Sequence, residues 1–135
     1  PNGDIWFDEY LMDPPSHILN GFIWALWGIY DYSLIIRTQE AINLLDRATR
    51  SLVRRLPSFD AGYWSLYDIS HPRRFKMLAS PFYHNLHIVQ LRVTHRLTGE
   101  SVLGNYADRW EAYAHSRWRR TRAIVGKVIF KLLYY

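Results

Sequence analysis

Three short motifs carry ionisable or phenolic side chains at the ends of predicted secondary-structure elements. They are Asp8-Glu9-Tyr10 in a loop, Leu66-Tyr67-Asp68 beside a loop and Phe82-Tyr83-His84 at the start of a helix. The start of a helix stabilises a nearby anion, such as a ligand carboxylate or a developing phenolate, because the helix dipole is positive there. The motifs therefore favour proton-transfer or anion-binding chemistry, although most of the 10 tyrosines in the chain are expected to serve packing alone.

Other kinds of chemistry lack their usual sequence signals. The chain has no cysteine, which excludes a disulfide scaffold, an iron–sulfur cluster, a thiolate zinc site and a cysteine nucleophile. It contains no phosphate-binding glycine loop, no Gly-x-Ser-x-Gly elbow and no His-Glu-x-x-His motif. His84 and His87 share one helical face, but no third or fourth metal ligand is specified. We therefore expect core or site-lining histidines and no metal.

Positive charge is concentrated near the C-terminus. The 135 residues include 17 Lys and Arg against 12 Asp and Glu, which gives a formal net charge of +5. A run of basic residues interleaved with Trp118 contains Arg117, Arg119, Arg120 and Arg122. A solvated helix face is the simplest explanation for this run, and a polyanionic sugar would use the same charges. The modest net charge and the lack of a recognised motif argue against nucleic-acid binding.

The most apolar C-terminal stretch is too short to cross a membrane. It runs over residues 123–135, which are 13 residues that include Lys127 and Lys131. A membrane-spanning helix needs about 20 predominantly apolar residues. We therefore expect no membrane span in this chain.

Hydrophobic periodicity predicts that residues 1–135 form one mostly helical domain. Residues 5–7 favour a short strand or an extended arm. A first helix follows Pro15, and Trp24 and Trp27 widen its apolar stripe until the helix should be buried on most sides. A second helix is predicted from about Ser33 to Leu56, where the next residue is a proline.

The second half of the chain begins with a segment of mixed character. Between Pro57 and Ser80 the helical period is lost, which predicts a loop with a short β-hairpin. A third helix should run from about Pro81 to Leu97 and end at Gly99. Residues 100–135 should hold one or two more helices, with a bend at Gly126. Paired helices of this kind indicate an all-α architecture of antiparallel helical hairpins. The expected interior residues are Trp24, Leu26, Leu45, Leu52, Leu86, Val89, Val93 and Leu97.

Several ordered segments resemble the catalytic C-terminal domain of the D-glucuronyl C5-epimerases, the enzymes of heparan sulfate biosynthesis. The segments are Glu9-Tyr10, Pro15-Ser16-His17-Ile18-Leu19-Asn20-Gly21-Phe22, Ile29-Tyr30-Asp31, Leu56-Pro57 with Asp60-Ala61-Gly62, Leu66-Tyr67-Asp68, Tyr83-His84-Asn85-Leu86-His87-Ile88-Val89-Gln90-Leu91 and Tyr106-Ala107-Asp108-Arg109-Trp110. Each segment alone is short, but their common order and spacing are hard to produce by chance. The resemblance covers about residues 5 to 115.

The resemblance implies an activity, a substrate and a fold. It implies epimerisation of D-glucuronate to L-iduronate within a heparosan- or heparan-like polysaccharide, an acidic polymer. The hydrogen at C5 is removed and a proton is returned on the opposite face, so two groups on opposite faces are required. A proton exchange of this kind needs no redox cofactor, and we expect none. The implied fold is part of an (α/α) toroid or barrel, with the short β-hairpin or extended arm noted above.

The resemblance also assigns roles to individual residues. The acid and base roles fall to Glu9 and Tyr83, with Tyr10 and Tyr67 as supporting hydrogen-bond donors or proton relays. A tyrosine, with an ordinary pKa of about 10, returns a proton readily but needs a lowered pKa to act as a base at neutral pH. The expected substrate-binding residues are His84, Asn20, Arg73 and Arg74. The two arginines are expected to replace an Arg that the animal enzymes carry where this chain has Ser70.

Two regions set this chain apart from the enzymes that it resembles. Those enzymes carry a β-rich region before the helical domain, whereas this chain begins Pro-Asn-Gly-Asp without an initiator Met, as a mature end or a piece of a longer protein would. At the other end, residues 115–135 form a basic helical extension with no counterpart. We treat residues 1–135 as a single helical domain that associates with itself through apolar helix faces.

Two other functions fit the same residues. A polysaccharide lyase removes the same C5 proton and then expels the C4 oxygen, and a non-catalytic helical domain would only bind glycans or a partner. The expected location is the lumen of the secretory pathway, in the Golgi, if the protein works like the animal enzymes, and otherwise a bacterial or archaeal cell.

Overall fold

The computed structural model describes residues 5–10, 13, 15–70 and 76–134. Within these residues the chain forms five α-helices, a short 3-10 turn and one two-stranded antiparallel sheet. In chain order the elements are α1 (Leu19–Ile36), α2 (Gln39–Arg55), the 3-10 turn (Leu56–Phe59), β1 (Leu66–Asp68), β2 (Met77–Leu78), α3 (Pro81–Thr98), α4 (Ser101–His115) and α5 (Arg117–Tyr134). The predicted all-α character and the short hairpin are therefore confirmed.

Local sequence signals account for the helix ends. Ser80 caps α3 by accepting a hydrogen bond from the Tyr83 amide at 3.3 Å, and Pro81 occupies the first turn. Gly99 ends α3 with a φ of 77°, a left-handed conformation that glycine adopts without strain. The predicted second helix starts too early, because Ser33 belongs to α1 and the chain turns at Arg37, which has a φ of 53°.

The helices pack as two hairpins around a common core. The α3 and α4 helices, joined by two residues, make the most extensive contact, and α1 packs against both α2 and α3. Fully buried residues from every layer meet between them, including Phe22, Leu52, Phe59, Trp64, Leu91, Leu103 and Trp110. The core therefore lies between the two hairpins, and the small sheet closes one side of it.

The predicted interior is partly wrong. Leu26 and Leu52 are buried as expected, but Trp24 is 52% exposed and Val89 is 56% exposed. Four further residues of the predicted interior are only half-buried: Leu45, Leu86, Val93 and Leu97. The α1 helix buries a single side, so it is not surrounded by protein, and Trp24 instead meets Trp27 edge-on at 4.8 Å on its outer side.

The error on α3 has a different cause. Its buried face is largely polar and carries His84, His87, Gln90 and Thr94 together with Leu91. Hydrogen bonds satisfy much of this face; for example, Thr94 accepts one from the Trp27 indole at 2.9 Å. Because a polar face can be buried when it is bonded, the apolar stripe alone predicted the wrong side.

The last helix, α5, continues through Gly126 without interruption. It packs against α4 and β2. Gly126 allows this approach, because a Cβ at this position would lie 2.9 Å from Cδ1 of Leu78. None of the helices in the described part of the chain is both long and apolar enough to span a membrane.

Candidate active site

An N-terminal arm, residues 5–10, carries Glu9 and Tyr10 onto the helical body. The ring of Trp6 stacks on Phe22 of α1, with 4.0 Å between the centroids. The amide of Ile5 donates a hydrogen bond to Oγ of Ser51 in α2 at 2.9 Å. These contacts anchor the arm across two helices just before the residues that could do chemistry. The arm belongs to neither strand, so the extended-arm alternative describes it.

The Glu9 side chain lies against the first turn of α1, at Gly21. A Cβ at position 21 would lie 2.7 Å from Oε2 of Glu9 and 3.1 Å from its Cβ, closer than side chains pack. Gly21 therefore leaves the space that the Glu9 side chain occupies. Tyr10 follows on the arm and forms a hydrogen bond with Glu9 while its own side chain stays half exposed.

Tyr67 occupies an irregular position in the small sheet. Leu66 pairs with Leu78 and Asp68 with Met77, so Tyr67 is the extra residue of a β-bulge. Bulges redirect a side chain and are common beside active sites. No feature of the sequence predicted this bulge, which decides where the Tyr67 ring lies.

Asp68 ties the bulged strand to the segment before α1. Its Oδ1 accepts hydrogen bonds from the His17 amide at 3.3 Å and the Ser70 amide at 2.8 Å. It also accepts one from the Ser70 hydroxyl. Ser70 therefore fixes the end of β1 and adds no charge near the site.

Tyr83 completes the cluster from the first turn of α3. Its ring meets Tyr67 edge-on, with 4.8 Å between the centroids. Electrostatic interactions connect Tyr67 with Glu9, Tyr10 and Tyr83, and Tyr10 with Glu9 and Tyr83. The structure thus brings together one carboxylate and three phenols from the arm, β1 and α3.

The surroundings keep two of these phenols protonated. The pKa of Tyr10 is raised, mainly by the nearby Glu9 carboxylate and by the hydrogen bond to it. The pKa of Tyr67 is raised further, first by burial and then by the Glu9 charge. At neutral pH, Tyr10 and Tyr67 therefore act as hydrogen-bond donors, and Glu9 supplies the carboxylate of the cluster.

His84 lies behind this cluster rather than in it. Its ring is completely buried and stacks on Trp64 at 3.7 Å. Its Nδ1 lies 2.8 Å from the Ser65 hydroxyl and its Nε2 lies 3.0 Å from the Trp110 carbonyl oxygen. Both ring nitrogens are used inside the core, so the expected direct contact of His84 with substrate does not agree with its position.

The ring of His84 instead connects α3 to the start of β1. The carbonyl of Trp110 requires a proton on Nε2, which leaves Nδ1 to accept from the Ser65 amide at 3.2 Å. The Ser65 hydroxyl also reaches Nδ1 of His87 at 3.0 Å. Burial lowers the pKa of His84 to about 4 and that of His87 to about 3, so both are neutral at physiological pH. Tyr67 follows two residues after Ser65, and Tyr83 immediately precedes His84.

The remaining expected binding residues have different outcomes. Asn20 is buried in α1, and its backbone carbonyl accepts a hydrogen bond from the side-chain Nε2 of Gln90 at 3.1 Å. Its Oδ1 has no hydrogen-bond partner among the described residues. Arg73 and Arg74 lie outside the described residues. No group of three or more potential metal ligands occurs within the described ranges.

One charged residue near the cluster was not predicted. Lys127 of α5 lies with its Nζ 5.8 Å from the centroid of the Tyr67 ring. In the sequence it belongs to the basic extension over residues 115–135 that has no counterpart in the family. A helix that folds back onto a hairpin 50 residues away leaves no local sequence signal.

The sequence of this chain is similar to sequences of known proteins. Residues 2–112 match the family model described as the D-glucuronyl C5-epimerase C-terminus. The chain is 34% identical over 129 residues to a D-glucuronyl C5-epimerase from Caenorhabditis elegans, which covers 85% of the chain and 21% of that protein. It is 32% identical over 105 residues to an uncharacterised protein from Methanocaldococcus jannaschii, which covers 78% of the chain and 32% of that protein.

The match has clear limits along both proteins. The chain spans about a fifth of the length of the nematode enzyme and about a third of the archaeal protein. The matched region includes the arm, β1 and the start of α3 and ends before α5 (Arg117–Tyr134). Since the family model covers most of the chain, this protein belongs to the D-glucuronyl C5-epimerase C-terminal domain family.

Proposed function

We propose that this chain takes part in the C5 epimerisation of D-glucuronate in an acidic, heparosan- or heparan-like polysaccharide. The observation that carries the proposal is the cluster of Glu9, Tyr10, Tyr67 and Tyr83, in which a carboxylate lies beside three phenols and the pKa of two of them, Tyr10 and Tyr67, is raised. In this proposal the five helices form part of an (α/α) toroid whose remainder lies in a larger protein.

Glu9 and Tyr83 divide the chemistry between the two faces of the sugar. The Glu9 carboxylate takes the C5 proton, and the electron pair moves into the adjacent carboxylate as an enediolate-like anion. The Tyr83 hydroxyl then gives its proton to the opposite face of C5, which inverts the centre. Microscopic reversibility exchanges the two roles in the return direction.

The supporting tyrosines restore the starting protonation. Tyr10 is hydrogen-bonded to Glu9 and half exposed, so the proton on Glu9 can leave through it to solvent. Tyr67 shares a hydrogen bond with Tyr83 and stabilises a phenolate there until a proton returns. His84, Asn20 and Ser65 stay in the core, where they hold the elements that carry these groups.

Exchange of the C5 hydrogen tests the proposed reaction. Heparosan incubated with the protein in deuterated water should gain deuterium at C5 and acquire L-iduronate. A lyase would instead produce an unsaturated uronate that absorbs in the ultraviolet. Binding of heparosan without deuterium at C5 would overturn the proposal in favour of a glycan-binding domain.

A further inference from the structure

The C-terminal helix places the ammonium group of Lys127 near Tyr67 of the cluster, and Lys131 lines the same cavity as Lys127. A cavity of about 260 Å³ is lined by Met77, Lys127, Phe130 and Lys131. It lies on the hairpin side of α5, where Lys127 reaches within 5.8 Å of the Tyr67 ring centroid. Its volume is just below the roughly 300–1,000 Å³ that drug-sized ligands occupy, so it suits one sugar residue or part of one.

The position of Lys127 is fixed by the packing of α5 on β2. Its Nζ donates a hydrogen bond to the carbonyl of Leu78 at 2.8 Å. The adjacent Gly126 brings the helix backbone close enough for this bond, because a Cβ there would approach Cδ1 of Leu78 to 2.9 Å. One turn earlier, the Arg122 guanidinium covers the Tyr63 ring at 4.0 Å. Lys127 therefore contacts β2, and Arg122 contacts the segment that precedes β1.

The surroundings of the two lysines contain no acidic partner among the described residues. In the described part of the chain no carboxylate forms an ion pair with Lys127 or Lys131. Lys127 is half-buried, and its pKa is lowered by burial and then by the nearby positive charge of Lys131. Two like charges that share a partly buried cavity favour an anion between them. Phe130 and Met77 add an apolar wall against which a sugar ring can pack.

We propose that Lys127, assisted by Lys131, forms a subsite that binds the carboxylate of a uronate residue at the Tyr67–Tyr83 pair. The inference rests on the proposed function, because it takes the ligand to be the acidic polymer on which the cluster acts. It adds a binding residue from a helix that lies outside the family match. Negative charge grows on the uronate carboxylate as C5 loses its proton, so an ammonium here also favours the transition state.

Binding of defined oligosaccharides tests this subsite without reference to activity. The dissociation constant of a heparosan oligosaccharide is measured by calorimetry for the wild-type chain and for Lys127→Gln. The glutamine amide removes the charge but can still donate to the Leu78 carbonyl. We expect binding about tenfold weaker, as the loss of a charge-assisted contact implies. Lys127→Arg should bind like the wild type, and Lys131→Gln should lose about threefold.

Two comparisons show whether the weaker binding of Lys127→Gln comes from losing a contact with the uronate carboxylate. Carboxyl-reduced heparosan should bind the wild type more weakly, and Lys127→Gln should change that affinity less than twofold. The matched control Arg50→Gln removes an exposed charge on α2, which packs mainly on α1, and should leave both affinities unchanged. An equal loss for both ligands, a loss confined to N-sulfated oligosaccharides, or no loss would overturn the subsite.

The outcome is independent of the reaction itself. Suppose that the C5 hydrogen does not exchange, but that Lys127→Gln still weakens binding of heparosan and not of carboxyl-reduced heparosan. The epimerase proposal then fails and the subsite stands. If exchange occurs and Lys127→Gln behaves like the wild type, the subsite fails and the epimerase proposal stands. Thermal unfolding of each variant, within a few degrees of the wild type, shows that the comparison is between folded proteins.

Discussion

At the scale of single residues, the cluster combines a carboxylate, which accepts protons, with phenols, which donate them. Tyr10 and Tyr67 both have a raised pKa, the first mainly through the charge of Glu9 and the second mainly through burial. A phenol that stays protonated donates hydrogen bonds and protons, whereas a carboxylate accepts them. The division between one acceptor and several donors is what a proton exchange at a carbon centre requires.

The first prediction separates proton transfer from binding at Glu9 and Tyr83. Glu9→Gln and Tyr83→Phe each remove a transferable proton or its acceptor but keep the side-chain shape. We expect each to lower the rate of C5 deuterium incorporation at least about 100-fold, the usual scale for a general acid or base. The dissociation constant for a heparosan oligosaccharide should change less than threefold. A comparable loss of affinity would show that these residues bind the sugar and do not transfer protons.

At the scale of elements, α1 positions the site through a residue without a side chain. Gly21 leaves the space that Glu9 fills, and the arm depends on Phe22 in the same turn for its anchor. The hairpin adds the bulge at Tyr67, and the cap of α3 fixes Tyr83. Different local features therefore hold the candidates: the space at Gly21 holds Glu9, the β-bulge holds Tyr67 and the helix cap holds Tyr83.

The second prediction uses two glycines of the same helix. Gly21→Ala places a Cβ 2.7 Å from the Glu9 carboxylate, so Glu9 must move and C5 exchange should fall about tenfold. Gly28→Ala is the matched control, because a Cβ there meets nothing within 4 Å. Alanine should raise helix stability by up to about 1 kcal/mol at position 28 without changing exchange. Equal exchange rates in the two variants would contradict the role given to Gly21.

At the scale of the whole molecule, two neutral histidines connect the layers. His84 joins α3, the start of β1 and α4 through Ser65 and the Trp110 carbonyl, and His87 shares the same hydroxyl. Protonating either ring would place a charge in the core and break this arrangement. The fold that positions Tyr67 and Tyr83 should therefore depend on pH.

The third prediction follows from the direction of these shifts. The unfolded chain binds a proton at each histidine below about pH 6.5, whereas the folded chain resists until about pH 4 for His84 and about pH 3 for His87. The free energy of unfolding should therefore fall as the pH drops through this window, by up to about 1.4 kcal/mol per pH unit for each histidine. NMR should show that the ring signals of His84 and His87 do not titrate above pH 5. Titration of either ring near pH 6.5 would contradict the buried network.

The fourth prediction concerns the outer surface of α1. Ile35 is 78% exposed and Trp24 is 52% exposed, and neither contributes to the core described above. We expect these side chains to bring copies of the chain together at high concentration, because isolated apolar patches favour association. Sedimentation should show self-association that Ile35→Lys weakens, whereas the exposed-position control Asn43→Lys should not. A chain that stays monomeric at high concentration would contradict self-association through α1.

The helical segments, the helix end at Gly99, the hairpin between α2 and α3 and the family follow from the sequence alone. These features depend on neighbours within a few residues or on motifs whose order survives along the chain. The order of those motifs also identified Glu9, Tyr10, Tyr67 and Tyr83 as site candidates. Their adjacency was an expectation until the arm, β1 and α3 were placed side by side.

Which helix faces are buried and which charges lie near the candidate site depend on how the elements pack in three dimensions. His84, expected to bind substrate, lies in the core instead, because its ring bonds to Ser65 and Trp110, which are 19 and 26 residues away in the sequence. Lys127 reached Tyr67 because α5 packs on β2 through Gly126. The physical reason is common to both: a hydrogen bond or a charge acts through space, and the distance in space between two side chains is set by packing rather than by their separation in sequence.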